Sequence, residues 1–310
     1  MMRARRFFLL GAIGLLGAAC DDVSTSGTPS SSGAGGATTS STSAGSTTSA
    51  STGVTASSST GGPPGQVPAI VAVGYGALRV VSRDGGLTWG ETAENNAPGG
   101  DDEDLLRAVA WGKGRWVATG WKLMTSDDGV TWTDHGKLAD GILPCNIVEG
   151  LAFFQGKFWG ACGYYTANDL VTAVFTSDDG VAWSAAPVGT WTWEGGHVFL
   201  GTTGDELFSW GDDAKTYRST NGVDWAEDPS ITAGLFCEGK LESSVDCAPN
   251  SVENGYYGGA FWLDGTWLEP KWMGKITRST NGADFVDVYS DPVGNTPYKG
   301  TAFAAGFAAP

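Results

Sequence analysis

One repeated eight-residue motif decides the fold of this chain, and its first copy is Ser82-Arg83-Asp84-Gly85-Gly86-Leu87-Thr88-Trp89. It returns as Thr125-Ser126-Asp127-Asp128-Gly129-Val130-Thr131-Trp132 and as Thr176-Ser177-Asp178-Asp179-Gly180-Val181-Ala182-Trp183. Two weaker copies, 218–225 and 278–285, keep the turn and the aromatic residue but have no acidic residue at the third position. Asp-Gly and Asn-Gly are preferred hairpin turns because positive φ costs little there. The phrase therefore predicts five strand-turn-strand units.

The first two copies match the Asp-box, S/T-x-D-x-G-x-T-W, so the chain resembles proteins with sialidase-type (BNR) repeats. That resemblance implies an all-β domain folded as a β-propeller. The in-register glycines from Gly86 to Gly282 lie 42 to 60 residues apart, a period that is also typical of propeller blades. We interpret the box residues as structural, and they are Ser82, Asp84, Gly86, Trp89, Thr125, Asp127, Gly129, Trp132, Thr176, Asp178, Gly180 and Trp183.

A second repeat predicts the first strand of each blade. Residues 107–111 align with 149–153 and with 299–303. The last copy has no box after it, whereas the first box has only one short apolar strand before it. We therefore predict that the C-terminal segment supplies the innermost strand of the blade begun at Val67, which closes a ring of five blades. Six or seven blades are the alternative, with a further element hidden between the fourth and fifth boxes.

The N-terminal 66 residues are expected to lie outside the folded domain. Residues 1–19 resemble a lipoprotein signal peptide, with Cys20 as the lipid attachment site and hence the contact with the membrane. An ordinary secretion signal is the alternative, and the Arg5-Arg6 pair leaves Tat or Sec export open. Residues 20–66 are almost wholly Ser, Thr, Gly and Ala, so they predict a disordered tether. The propeller is assigned to 67–310, displayed on the cell envelope outside the cytoplasm.

Charge and cysteine content restrict the partners and the chemistry. The formal net charge of −16 argues against nucleic acid as a partner. Besides Cys20 there are four cysteines, an even number in an oxidising compartment, so we expect two disulfides. Three pairings are possible, and we favour Cys145 with Cys162 and Cys237 with Cys247 because each closes a short loop. No metal or cofactor site is predicted, and we expect a monomer.

The candidate ligand site is the rim of the central channel, where each inner strand begins. A mixed-charge funnel at this rim suits a sugar or a small anion. The alternative is that these residues are solvated strand ends paired with one another. The residues predicted to enter the inner strands are Arg107, Glu149, His197, Tyr257 and Lys299.

Two further segments are singled out by composition. Trp191, Trp193 and Glu194 precede the fourth blade, where an exposed tryptophan can stack on a sugar ring; most other tryptophans are expected in the core. The run Asp101–Asp104 precedes the second blade. Clustered carboxylates can hold calcium, but without the spacing of calcium loops we interpret this run as a solvated loop.

Three functions follow from these observations. The first is a non-catalytic, envelope-anchored module that binds carbohydrate or an envelope protein through the funnel. The second is a sialidase-like glycoside hydrolase. Sialidases that this repeat resembles carry an Arg-Ile-Pro signature and three arginines for the substrate carboxylate; the signature is absent, and Arg218 and Arg278 begin boxes, away from the rim. The third is an envelope assembly scaffold, and fold alone does not choose among the three.

Overall fold

The computed structural model describes most of the domain that follows the tether. The described residues are 62–94, 104–137, 147–165, 170–186, 199–202, 205–210, 216–229, 236–237, 240–241, 261–263, 265–271, 275–290 and 302–310. All of them lie in one compact unit, Ser51–Pro310. They are all-β apart from the short 3-10 turn Tyr75–Ala77. Among these residues no helix has the length and apolar character needed to cross a membrane.

The described strands form five four-stranded antiparallel sheets and one short hairpin. The first sheet contains β1 (Val67–Val73), β2 (Arg79–Ser82), β3 (Gly90–Ala93) and the C-terminal β22 (Ala302–Ala308); the second contains β4 (Leu106–Gly112), β5 (Arg115–Gly120), β6 (Lys122–Ser126) and β7 (Thr133–Lys137). The third contains β8 (Gly150–Phe154), β9 (Lys157–Tyr165), β10 (Leu170–Ser177) and β11 (Ser184–Ala185); the fourth contains β12 (Phe199–Thr202), β13 (Leu207–Trp210), β14 (Thr216–Ser219) and β15 (Ala226–Glu227). The hairpin is β16 (Phe236–Cys237) with β17 (Lys240–Leu241), and the fifth sheet contains β18 (Phe261–Leu263), β19 (Thr266–Lys271), β20 (Lys275–Ser279) and β21 (Val286–Ser290).

The predicted closure by the C-terminal strand is confirmed. Strand β22 pairs antiparallel with β1 along its whole length, from Val67 opposite Ala308 to Val73 opposite Ala302. The indole of Trp116, in the second sheet, donates to the Phe307 carbonyl at 2.7 Å. The chain end is thereby hydrogen-bonded to two adjacent sheets, which leaves β1 without an exposed inner edge.

The pairing register corrects the predicted alignment of the C-terminal strand with the other inner strands. Ala308 lies opposite the first residue of β1, just as Gly112 lies opposite the first residue of β5. Phe303 therefore corresponds to Arg107, and Lys299 falls before the strand, outside the described residues. The sequence alignment failed because it matched Gly306 to a turn glycine, whereas Gly306 lies inside the strand.

Apolar clusters join the sheets in sequence order, as expected for a propeller. One cluster joins the first and second sheets through Val71 and Val109, and others join the second with the third, the third with the fourth, and the fifth with the first. The first, second and third sheets thus bury both faces against neighbouring sheets. The fourth and fifth sheets are separated in sequence by residues that are largely outside the described set, so a total of five blades stays a prediction.

The turns of the five boxes are held by side chains, and in the first box these are the predicted ones. The Ser82 hydroxyl accepts a hydrogen bond from the Gly86 amide at 2.8 Å. One Asp84 oxygen accepts the amides of Leu87 and Thr88 at 3.0 and 2.9 Å. The Trp89 indole donates to the Gly86 carbonyl at 3.2 Å. Side chains before and after the turn glycines therefore both hydrogen-bond to the turn backbone.

In the second box the turn is held one residue later than predicted. Ser126 and Asp128, rather than Thr125 and Asp127, bind the turn amides, with Gly129 N to Ser126 Oγ at 2.8 Å. Asp127 instead pairs with Arg115 at 2.8 Å. The reason is an extra glycine in the first box, which lengthens the turn by one residue. The same shift applies to the third box, where Ser177 and Asp179 replace Thr176 and Asp178.

Hydrogen bonds to box carbonyls connect successive sheets. Their donors lie just before β1, in or next to the hairpin that follows an inner strand, or at the start of a box. The recorded bonds run from Gln66 to Asp127 O, Lys113 to Asp178 O, Arg115 to Asp179 O, Gln155 to Thr220 O, and Arg278 to Gly85 O. The boxes therefore join neighbouring sheets as well as closing their own hairpins.

Candidate functional site

The rim of the second and third sheets is built around Gly120, the last residue of β5. Leu106, at the start of β4, lies opposite Gly120 in the strand pairing. The Gly120 carbonyl accepts the amide of Val148 at 3.0 Å, just before β8 begins. A Cβ on Gly120 would overlap the Leu105 carbonyl oxygen. Three backbone segments thus meet at one point that only glycine allows.

Two residues that the sequence predicted for the rim meet at this junction. The Arg107 guanidinium lies 3.8 Å from the Glu149 carboxylate, between the second and third sheets. The side chains are 9% and 20% exposed, respectively. The Arg107 guanidinium carbon also lies 6.0 Å from the ring centre of Tyr75, in the first sheet, within reach of a cation-π interaction. One arginine therefore contacts three sheets.

A second charged group, centred on Lys122, was not predicted. Lys122, at the start of β6, pairs with Asp104 and, at 3.0 Å, with Asp134. Burial works against the charged lysine, but the hydrogen bonds with the two carboxylates prevail and raise the pKa of Lys122. Asp104 is almost fully buried, so the interpretation as a solvated loop is wrong for this residue of the run. Asp101, Asp102 and Glu103 lie outside the described residues.

Arg79 is a buried cation that no sequence motif singles out. Its residue surface is 7% exposed, and its Nη1 donates to the Met124 sulfur at 3.3 Å. Burial lowers the pKa of Arg79, while Asp134, Asp104 and Glu94 oppose that shift. Residues of two different sheets create this environment, and no local sequence pattern predicts such a contact.

The remaining predicted ligand residues cannot be compared with this geometry. Outside the described residues lie His197, Tyr257, Lys299, Trp191, Trp193 and Glu194. Cys162 is buried between the second and third sheets, and its favoured partner Cys145 also lies outside, so the disulfide pairings stay predictions. In the described part of the chain no cluster of three metal-binding side chains is found.

Comparison with known proteins identifies no family and finds only distant structural similarity. No family model matches the chain, and no curated protein matches it. Similar solved structures are β-propeller-like. "YCF48 bound to D1 peptide" is 15% identical over 77% of this chain and 88% of that chain, with a TM-score of 0.40. The family 117 glycoside hydrolase Zg3597 from Zobellia galactanivorans is 14% identical over 74% and 69%, with a TM-score of 0.39. A glycosyl hydrolase from Bacteroides ovatus is 13% identical over 76% and 86%, with a TM-score of 0.34. At such identities the likeness concerns the fold alone.

Proposed function

We propose that the chain is a non-catalytic binding module, held on the cell envelope by a lipid on Cys20, that recognises carbohydrate through the funnel face. The observation that carries the proposal is the Arg107–Glu149 pair at the Gly120 junction. The planar guanidinium of Arg107 supplies hydrogen-bond donors next to the acceptor oxygens of Glu149. Sugar hydroxyls need both donors and acceptors. The pair is fixed by strand pairing on two sheets, so the site is preorganised.

The hydrolase alternative has less support from the described residues. Glu149 faces a guanidinium at 3.8 Å, whereas glycoside hydrolysis uses two carboxyl groups flanking the bond. Arg218 pairs with Glu206 and Asp228, and Arg278 donates to Thr266 and to the Gly85 carbonyl. Both arginines directly precede a box serine, at the end of the sheet opposite to Arg107. A cluster of these three arginines around one substrate carboxylate is therefore not expected.

A glycan array combined with a fluorogenic-glycoside screen tests the proposal. The protein is the chain 21–310, exported behind an ordinary secretion signal. Arg107→Ala/Glu149→Ala is compared with Lys275→Ala/Asp287→Ala, which removes an exposed ion pair of 2.7 Å from outer strands of the fifth sheet. Thermal unfolding of each variant verifies that it is folded.

We expect glycan binding without turnover, lost in the first double variant and kept in the second. Turnover of any glycoside would overturn the non-catalytic assignment. Glycan binding that survives Arg107→Ala/Glu149→Ala would place the site elsewhere. The absence of glycan binding by the wild-type chain would instead favour an envelope protein as the partner.

A further inference from the structure

Trp121 is a tryptophan whose position the core does not explain. It lies in the turn between β5 and β6, where its backbone amide donates to the Leu105 carbonyl at 2.9 Å. Its residue is half-buried, and it belongs to none of the four described core clusters. In the described part of the chain, no hydrogen bond or ring contact of its indole is found. Box tryptophans differ, since Trp132 donates to the Gly129 carbonyl at 3.1 Å.

The backbone places Trp121 beside the proposed binding pair. Leu106, Gly120 and Val148 meet at the rim junction, through the β4–β5 pairing and through the bond from Val148 N to Gly120 O. Arg107 and Glu149 follow Leu106 and Val148 in the chain. Because β4 and β5 are antiparallel, Trp121 lies opposite Leu105, to whose carbonyl its amide donates, and so two positions from Arg107 along β4. Because hydrogen-bonded strands lie about 5 Å apart, the three residues border one small area of the rim.

The chemistry of these three side chains is complementary to one sugar ring. An indole offers a flat apolar face and a single N–H donor. Arg107 supplies further donors and Glu149 supplies acceptors. A pyranose has an apolar C–H face and a rim of hydroxyls, so it can satisfy all three at once. The area bordered by three side chains is about the size of one sugar ring. A protein interface is much larger and uses about 20–30 residues on each side.

We propose that Trp121 is the stacking surface for a pyranose ring whose hydroxyls bind Arg107 and Glu149. This inference rests on the proposed function and makes its ligand class specific. It assigns an affinity role to Trp121 and a hydrogen-bonding role to the charged pair. Loss of the indole is therefore expected to weaken sugar binding without disturbing the fold.

The test is an NMR titration of the chain 21–310 labelled with ¹⁵N at the tryptophan indoles. The probes are methyl β-D-glucopyranoside, methyl β-D-galactopyranoside, methyl α-D-mannopyranoside and methyl N-acetyl-β-D-glucosaminide. Trp121→Phe and Trp132→Phe assign the two signals by their disappearance. We expect at least one probe to shift the Trp121 signal in a saturable way while the Trp132 signal stays in place.

Affinity measurements then separate this inference from the proposed function. For the best probe, Trp121→Ala is expected to weaken binding about tenfold or more, as truncation of a central tryptophan commonly does, and Trp121→Phe to weaken it less. Unchanged affinity in Trp121→Ala overturns the stacking role and leaves the proposed function standing. Unchanged affinity in Arg107→Ala/Glu149→Ala overturns the proposed site. If no probe shifts the Trp121 signal, the stacking role is overturned, and the glycan array decides the proposed function on its own.

Discussion

The side-chain amide of Asn221 donates a hydrogen bond to the carboxylate of Asp224, at 2.9 Å, inside the turn of the fourth box. The Asn221 oxygen meanwhile accepts the amides of Val223 and Asp224, both at 2.8 Å. The fifth box repeats the arrangement, with Asn281 donating to Asp284 at 2.8 Å. In the fourth and fifth boxes, the asparagine therefore takes the place of the turn aspartate of the first two boxes, and the aspartate takes the place of their threonine.

Asn221→Asp is therefore expected to destabilise the domain. The new carboxylate still accepts the turn amides, but it loses the bond to Asp224 and faces a like charge. We expect a loss of about 1 kcal/mol, or roughly 2–4 °C in Tm for a domain of this size. Asp128→Asn is the matched control, because the residue at the position of Asp224 in that box is Thr131, whose hydroxyl can bond either group. Equal Tm values for the two variants would contradict the coupling.

Acid is expected to weaken the first three boxes. Hydrogen bonds from the amides of Ala182 and Val181 lower the pKa of Asp179. In Asp84 and Asp128 burial has the opposite effect, but hydrogen bonds from the turn prevail and lower the pKa as well. A carboxyl group whose pKa is lower in the folded state adds stability above its unfolded pKa, near 3.9, and loses it as the pH falls through the folded value.

Chemical denaturation of wild type and Asp179→Asn between pH 7 and pH 2 measures this contribution. The wild type should lose stability below about pH 4, and the variant should lose less over the same interval because its amide does not titrate. Asn281→Gln serves as a control for a box substitution without a titrating group. Parallel pH profiles for wild type and Asp179→Asn would contradict the assignment.

The boxes were the most predictable part of the fold, because their signals are local. Each hairpin depends on contacts between residues two to four positions apart, and a single sequence contains that information. The register of Ser126 and Asp128 was missed because the run Thr-Ser-Asp-Asp-Gly contains two S/T-x-D pairs, and the motif glycine follows at the expected spacing only for Thr125 and Asp127. Only the structure distinguishes the two pairs, because the Gly129 amide donates its hydrogen bond to the Ser126 hydroxyl.

The rim was only partly predictable, and the reason is distance along the chain. Arg107 and Glu149 were found because both precede aligned inner strands. Tyr75 lies in the turn after β1 and Lys122 at the start of β6, so their contacts depend on how the strands and sheets pack together. Trp121 belongs to no repeat. It stands out because it lies in none of the described core clusters, and a sequence alone does not reveal this.

Gly180 shows how the boxes fix the spacing between sheets. Its φ is +78°, and a Cβ there would overlap a methyl group of Val117 in the second sheet. Gly156 has a similar φ of +76°, but a Cβ there would meet nothing within 4 Å. Both alanine variants carry backbone strain of about 1–2 kcal/mol. Gly180→Ala should lose about 1–3 kcal/mol more, from overpacking, and equal denaturation midpoints for the two variants would contradict this role of the box glycine.

Gly120 connects the fold to the proposed site, and its substitution should damage both. A Cβ on Gly120 would overlap the Leu105 carbonyl oxygen, whereas a Cβ on Gly90 would meet nothing within 4 Å. Neither glycine has a positive φ, so the comparison of Gly120→Ala with Gly90→Ala isolates the steric effect. We expect Gly120→Ala to separate β4 from β5, displace Arg107 from Glu149 and weaken glycan binding more than tenfold, with Gly90→Ala close to wild type. Thermal unfolding and glycan binding are measured on the same samples. A Gly120→Ala protein with wild-type Tm and affinity would show that the junction does not position the pair.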